Sequence, residues 1–499
     1  MSCSSGCWAI VVSMIIFMFV MFIGFNNALH LYELFRGFGF KSCYVSDEVW
    51  YVSSARNILY KIFGYDSIRV NSSAGSLYTV VLDKPFNTSI LNGVSGQLCF
   101  SLVEDEYRGS LVARVTVVKD NRSFTRSLYV GGLNAVYVSL KKNCSINDVV
   151  RDFNRLNYSV LDVIPGWALP DKGGINEYFN LEHPPLGKYF IMLSIVLLGD
   201  NPASWRIPSI VSTALIYSFS YLITYEILRV FLRGKHAVLL SLITPIIMYF
   251  DNTYHTVGVL AMLDPFLAVF TVVGVYVFIK YPYTSLKTSV ARTVLFSLAG
   301  LIKFSGLFIA PAEFIEGFFQ RGDILYKLRH AFGTLLRYYV VFPLLLILFS
   351  VPFINYYGFQ KWFQASIVDA IHWHLSTKSI GSISSSPIDW LLGRQSFTLW
   401  INPVNHQPVK CMGLPIVYLC GFILGIITMP WTIRIDKLRK LLLSYYSIWT
   451  MYLTLYIIGN HSLWSFYIIH FSALPTIILT TITAYLTIKI QKHIKQKTA

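Results

Sequence analysis

Charge is scarce in this 499-residue chain: 13% of its residues are Asp, Glu, Lys or Arg, against 55% that are hydrophobic. Soluble globular chains carry about a quarter of charged residues, so too little polar surface is left here for a water-soluble fold. Cysteine is also sparse, with seven residues and no CxxC pair, which leaves a zinc module or a dithiol redox motif without support. The first apolar run, Cys7 to Asn26, lacks the basic flank and the small-residue cleavage site of a secretory signal. It is read as a retained anchor. Acidic residues are outnumbered by basic ones, 25 to 41, for a net charge of +16. In so hydrophobic a chain that excess points to the cytoplasmic loops of a membrane protein rather than to nucleic acid.

Apolar runs, by contrast, are abundant, and crossing a hydrocarbon core takes about twenty apolar residues. Spans are predicted at Cys7 to Asn26, Ile207 to Val230, His236 to Asp251, Pro265 to Ile279, Thr293 to Lys303, Phe304 to Phe319, Leu335 to Phe353, Met412 to Ile433, Leu441 to Ile458 and Phe466 to Ile488. With about ten crossings, the basic groups Arg229, Arg233 and Lys235, then Lys280, Lys287 and Arg292, then Arg321, Lys327 and Arg329, then Arg434, Lys437, Arg439 and Lys440, and finally Lys489 to Lys497, all fall on one face. The positive-inside rule makes that face cytoplasmic and places both termini there. The N-x-[ST] sequons at Asn71, Asn87, Asn121, Asn143, Asn157 and Asn460 all fall on the other face. "HPPLGKYFIMLSIVLLGD" is too short for a further span and would invert every later loop. It reads as an interfacial helix begun by Pro184 and Pro185, whose missing N–H groups suit a first turn.

These readings divide the chain into a first span with an acidic motif (1–65), an external insertion (66–166), a membrane core with the interfacial helix (167–353), an external loop (354–410) and C-terminal spans (411–499). Ser76 to Lys141 carries short runs of β-branched and aromatic residues between Gly and Asn, as in "SLYTVVLD" and "AVYVSLK", and predicts a small β-sandwich. Cys99 and Cys144 suit a disulfide if that insertion is external. The expected class is an all-α polytopic membrane protein with a β-rich external insertion.

"VSDEVWYVSSARNILYKIFGY" opens an amphipathic helix with Asp47 and Glu48, and acidic residues at a helix start are favoured by its dipole, so simple capping would explain them. The same external mouth collects Glu182, His183, Lys188, Arg206, Asp264 and Lys303. Ionisable groups within a membrane cost roughly 2.5–3.5 kcal/mol each, so those present are usually paired or functional. Lys303 and Asp264 can simply pair, and Arg206 can simply anchor at headgroups.

"DEVWY", "HPPLGKYFI", "SWRIPSIVSTAL", "MLDPFLAVF", "LAGLIKFSGLF", "SSPIDWLLG" and "WSFYIIHFSALP" occur here in the order in which the protein O-mannosyltransferases carry such motifs. The chain resembles that branch of the GT-C membrane glycosyltransferases, except at Tyr65 to Gly166, where the insertion lengthens the first external loop. The resemblance implies a GT-C fold and inverting transfer of mannose from a polyprenyl (dolichyl) phosphate to Ser or Thr hydroxyls of proteins on the non-cytoplasmic face, at the plasma membrane or the endoplasmic reticulum. Asp47 matches the family's catalytic aspartate, with Glu48 orienting it or the acceptor. Lys188, Arg206 and Lys303 are expected at the donor phosphate, with Glu182 and His183 beside it. No cofactor is required, although Asp264 is compatible with a divalent metal. Expected partners are the lipid-phosphate sugar, a protein or glycan acceptor and membrane lipids, with no nucleic acid; an oligomer is compatible. A transporter is a competing reading, but no duplicated set of broken spans supports it. A receptor would need only one span.

Overall fold

The computed structural model describes residues 5–37, 44–65, 77–102, 112–119, 122–129, 135–165, 178–376 and 384–498, apart from 85, 92, 403 and 406. The chain enters through α1 (Ser5–Gly37), an uninterrupted apolar helix, and α2 (Glu48–Lys61) follows it. The insertion then folds as β1 (Leu77–Leu82), β2 (Phe100–Leu102), β3 (Val112–Lys119), β4 (Arg122–Tyr129), β5 (Ala135–Leu140), α3 (Ile146–Arg155) and β6 (Val160–Pro165). Four of its strands form one antiparallel sheet in the order β2-β5-β1-β6, and β3 pairs with β4 as a separate ribbon. Alternate residues of a strand share a face, and here Val80, Leu82, Val136 and Val138 bury against Val149 and Phe153 of α3. The expected sandwich is thus corrected: among the described residues, a helix and not a second sheet covers this face. Ser145 caps α3 in a reciprocal box with Asp148, and a Cys99–Cys144 disulfide ties β2 to the same turn.

The membrane core follows as α4 (Leu186–Leu198), α5 (Pro202–Leu228), α6 (Gly234–Leu240), α7 (Ile243–Tyr249), α8 (Asn252–His255), α9 (Asp264–Lys280), α10 (Leu286–Gly300), α11 (Ala310–Phe318) and α12 (Ile324–Tyr357). The external loop holds α13 (Phe359–Phe363), a π-helical turn at Gln364–Val368, α14 (Asp369–Ser376), α15 (Pro387–Leu392) and the hairpin of β7 (Phe397–Ile401) with β8 (Pro408–Cys411). The chain closes with α16 (Pro415–Thr432), α17 (Asp436–Ile457) and α18 (Ala473–Thr498). α5 is the hub, packing against α1, α4, α9 and α18.

Among the described residues, five helices are long and apolar enough to cross a membrane, namely α1, α5, α12, α16 and α18, or six if the pair bent by 65° around Asp251 is one span. The expected count of about ten is not reached. α9, α10 and α11 have 17, 15 and 9 residues, short for a span, and α17 is rich in Tyr, Ser and Thr. Two basic residues assigned to loops are in fact buried: Arg292 pairs with Glu313 at 2.5 Å and Arg439 with Glu316 at 2.7 Å. Lys437, half-buried, pairs with Glu226 at 2.6 Å. α4 has 13 residues and exposes Leu193, Leu197 and Leu198 along one side, as an interfacial helix does. Of the sequons, Asn87, Asn143 and Asn157 are exposed, whereas Asn460 is buried, and Asn71 and Asn121 lie outside the described residues.

Candidate functional site

Asp47 stands at the N-cap of α2, but its side chain makes no capping hydrogen bond; its backbone carbonyl accepts from Trp50 and Tyr51 instead. The carboxylate is therefore available for something other than starting a helix. The chain reaches it through Ser46, a non-glycine residue in the left-handed region at φ 53°, a conformation that proteins retain mainly where the surroundings enforce it. Protein closes around Asp47 and pushes its pKa up to about 6, the positive charge of Lys303 opposing and the negative charge of Asp264 adding to the effect of burial.

Two motifs are brought together beside it by close backbone approach. Leu186 N donates to Leu301 O at 3.1 Å, joining "HPPLGK" to "LAGLIKFSG". A Cβ on Gly306 would come within 2.2 Å of the Ala299 backbone, so that site needs glycine, and one on Gly187 would come within 2.6 Å of the Leu263 side chain and displace it. Lys303 occupies the extended break between α10 and the 3-10 turn Phe304–Ile309. There its Nζ contacts both oxygens of Asp264, at 2.8 and 2.9 Å. Asp264 is the first residue of α9, where the helix dipole favours a negative charge.

Several expected roles are corrected. Glu48 accepts from Arg206 Nε and Nη2 at 2.8 and 2.7 Å and from the backbone N–H groups of Ala261 and Val45, both at 2.8 Å. Both residues are buried, so Glu48 has no free face toward a substrate and Arg206 is held against a carboxylate rather than a phosphate. The pair pins α2 to α5. A second pin joins Arg56 of α2 to Asp200, which also accepts from Trp205 Nε1. Lys188 is likewise engaged: its Nζ donates to the carbonyls of Phe179 and His183 at 3.3 and 2.8 Å, and to that of Asn180. Burial pushes its pKa down to about 7 against the pull of Glu182. Lys188 thus holds the 179–183 loop rather than a ligand. Glu182 accepts from the Tyr178 hydroxyl and from Asn180 Nδ2 within that loop.

What the loop presents is His183, which together with Lys303 lines a cavity of about 600 Å³. Most of the wall is apolar and comes from four places: Phe342, Leu346 and Ile347 of α12, Phe359, Trp362 and Phe363 of α13, Ile367 and Ile371 beyond it, and Leu455 of α17. Polar groups enter with His183, Lys303, Ser305, Tyr452, Asn460, Ser462 and Tyr467. The structure therefore gathers Asp47, Asp264, Lys303 and His183, and sets Glu48, Arg206, Lys188 and Glu182 into the framework around them. Sequence reasoning missed Tyr51 and Tyr467. Tyr51 lies one turn after Asp47 on α2, with its ring centroid 6.3 Å from that of His183, and the Asp47-to-Tyr51 spacing was the available signal. Among the described residues, no group of three or more His, Cys, Asp or Glu side chains is placed to hold a metal ion.

Residues 175–368 match the model of a family described as dolichyl-phosphate-mannose-protein mannosyltransferase. Glu182, His183, Lys188, Arg206, Asp264 and Lys303 lie inside the match, and Asp47 precedes it. No curated protein sequence matches the chain. Among solved structures the chain is similar to ArnT from Cupriavidus metallidurans bound to undecaprenyl phosphate, with 15% identity and a TM-score of 0.40 over 61% of this chain and 50% of that one. It is also similar to the archaeal oligosaccharyltransferase AglB from Archaeoglobus fulgidus in complex with an inhibitory peptide and a dolichol-phosphate, with 11% identity and a TM-score of 0.37 over 64% and 44% of the two chains. The chain thus spans half or less of the length of these structures, and likenesses so distant carry no argument about its site.

Proposed function

Because residues 175–368 mark this integral membrane protein as a mannosyltransferase-like glycosyltransferase, we propose that it moves a sugar, mannose by its resemblance, from a polyprenyl (dolichyl) phosphate to Ser or Thr hydroxyls of proteins at the non-cytoplasmic face. The observation that carries this reading is the company these groups keep. A largely apolar cavity, fit for a lipid chain, has Lys303 and His183 in its wall, and the Asp47 carboxylate feels the Lys303 charge.

In the step so assigned, the acceptor oxygen attacks the anomeric carbon, its proton passes to Asp47, and the bond from that carbon to the phosphate oxygen breaks. The bonding electrons stay on the phosphate, and attack opposite the leaving group inverts the configuration. A carboxylate titrating near 6 is ionised at neutral pH yet more basic than an ordinary Asp, as a general base should be. Charge growing on the phosphate needs a fixed cation, not an acid, and Lys303 has one N–H beyond the two directed at Asp264. This chemistry requires no metal.

Purified protein incubated with radiolabelled polyprenyl-phosphate-mannose and a pool of Ser/Thr peptides should label peptide. Label appearing in a glycan or lipid instead would overturn the acceptor, and no transfer from any polyprenyl-phosphate sugar would overturn the reading.

A further inference from the structure

Tyr467 falls within "WSFYIIHFSALP", a motif without an assigned role, and three separate features meet on it. Its side chain lines the cavity. Its ring centroid lies 4.5 Å from Lys303 Nζ, within the range of a cation–π contact. Burial, reinforced by the negative charges of Asp264 and Asp47, also keeps its phenol protonated and so a hydrogen-bond donor.

The ring is held in place before any ligand arrives. It sits on the 3-10 turn Ser465–His470, edge-on to Trp464 and Phe466 at 5.6 and 5.0 Å. Ser465 fastens that turn, accepting from Phe397 N at 2.9 Å and donating to Cys411 O at 2.6 Å. A fixed donor next to a fixed cation is the arrangement that favours charge developing on an anion, since neither has to reorganise during the reaction.

We propose that Tyr467 is a headgroup residue for the lipid-linked donor: its ring face holds the sugar beside Lys303, and its hydroxyl donates to a phosphate oxygen as the sugar departs. The assignment rests on the reading of the chain as a lipid-phosphate glycosyltransferase, and deepens it. The positive charge that grows on the sugar ring in such a step would face the π-cloud of the tyrosine, while the negative charge left behind would meet its O–H.

The test separates the ring from the hydroxyl. Tyr467→Phe keeps the ring and should leave the donor KM within about twofold while lowering kcat on the order of 10- to 100-fold, as expected for a lost transition-state donor. Tyr467→Leu should in addition raise the donor KM by about tenfold, since the ring face itself is gone. Binding of radiolabelled undecaprenyl phosphate, measured separately in nanodiscs, should weaken about 2- to 10-fold in both variants, the effect of one lost hydrogen bond. Parent-like kcat and phosphate binding in Tyr467→Phe would overturn the proposal, as would equal impairment of both variants together with an equal drop in heat stability. If Tyr467→Leu does not fold, Tyr467→Phe decides alone. If the parent transfers no sugar, the functional reading fails, and the phosphate-binding arm still decides whether Tyr467 contacts the headgroup.

Discussion

Asp47 and Glu48 are neighbours in the chain with opposite situations, and their variants should behave oppositely. Asp47→Asn removes a carboxylate that caps nothing, so transfer should fall at least about a hundredfold while α2 stays intact. Between pH 3.8 and about 6 the folded protein holds the Asp47 proton more tightly than the unfolded chain does, so stability declines as pH rises through that window and stays at the lower level above it. At pH 7 Asp47→Asn should therefore unfold at a higher temperature than the parent, by at most about 3 kcal/mol of stability. In the parent, kcat/KM should fall with acid around a midpoint near 6; a flat profile from pH 5 to 8 would remove Asp47 as the base. Glu48→Gln or Arg206→Met instead leaves a buried charge without its partner, and should destabilise by about 3–5 kcal/mol in thermal unfolding. The residue types in "DEVWY" and "SWRIP" pointed to chemistry, but not to which charges neutralise each other. The Glu48 to Arg206 pair spans 158 positions, and no local pattern encodes such a meeting.

At the scale of elements, periodicity and run length made the long apolar helices legible, because a bilayer demands that length from each of them separately. The same runs read as spans at α9, α10 and α11, which have 17, 15 and 9 residues and bury charges against partners on other elements. The insertion shows a similar limit: alternation located strands, but whether a sheet is covered by another sheet or by a helix depends on Val149 and Phe153, whose helical spacing lies beyond the strand region. Two elements offer tests. Reducing Cys99–Cys144 should cost the insertion about 2–4 kcal/mol, seen as faster proteolysis there with the membrane core unaffected. Gly306→Ala cannot be accommodated without shifting the 3-10 turn that begins beside Lys303. It should cost about 1–3 kcal/mol and lower transfer, and a variant as stable and active as the parent would show that the turn tolerates displacement.

For the whole molecule, the charge distribution predicts orientation. A membrane-impermeant reagent should label a cysteine placed at the exposed Ser89 from outside, and one placed at the exposed Lys492 only after permeabilisation. The reverse pattern would put the site on the cytoplasmic face and remove the proposed acceptors.

The ion pairs of the interior also set a schedule for making the protein. Arg292 and Glu313 lie on successive helices and can neutralise each other as soon as both have been synthesised. Glu316 must wait for Arg439, 123 residues later, whereas Glu226 has Arg229 beside it at 3.1 Å well before Lys437 adds a second cation. Until α17 emerges, Glu316 of α11 lacks its cation, and lipid tolerates such a group poorly. A chain truncated before Asp436 should therefore be recovered with α11 accessible to protease, whereas the full chain protects it. The settling of α11 is thereby coupled to the arrival of α17.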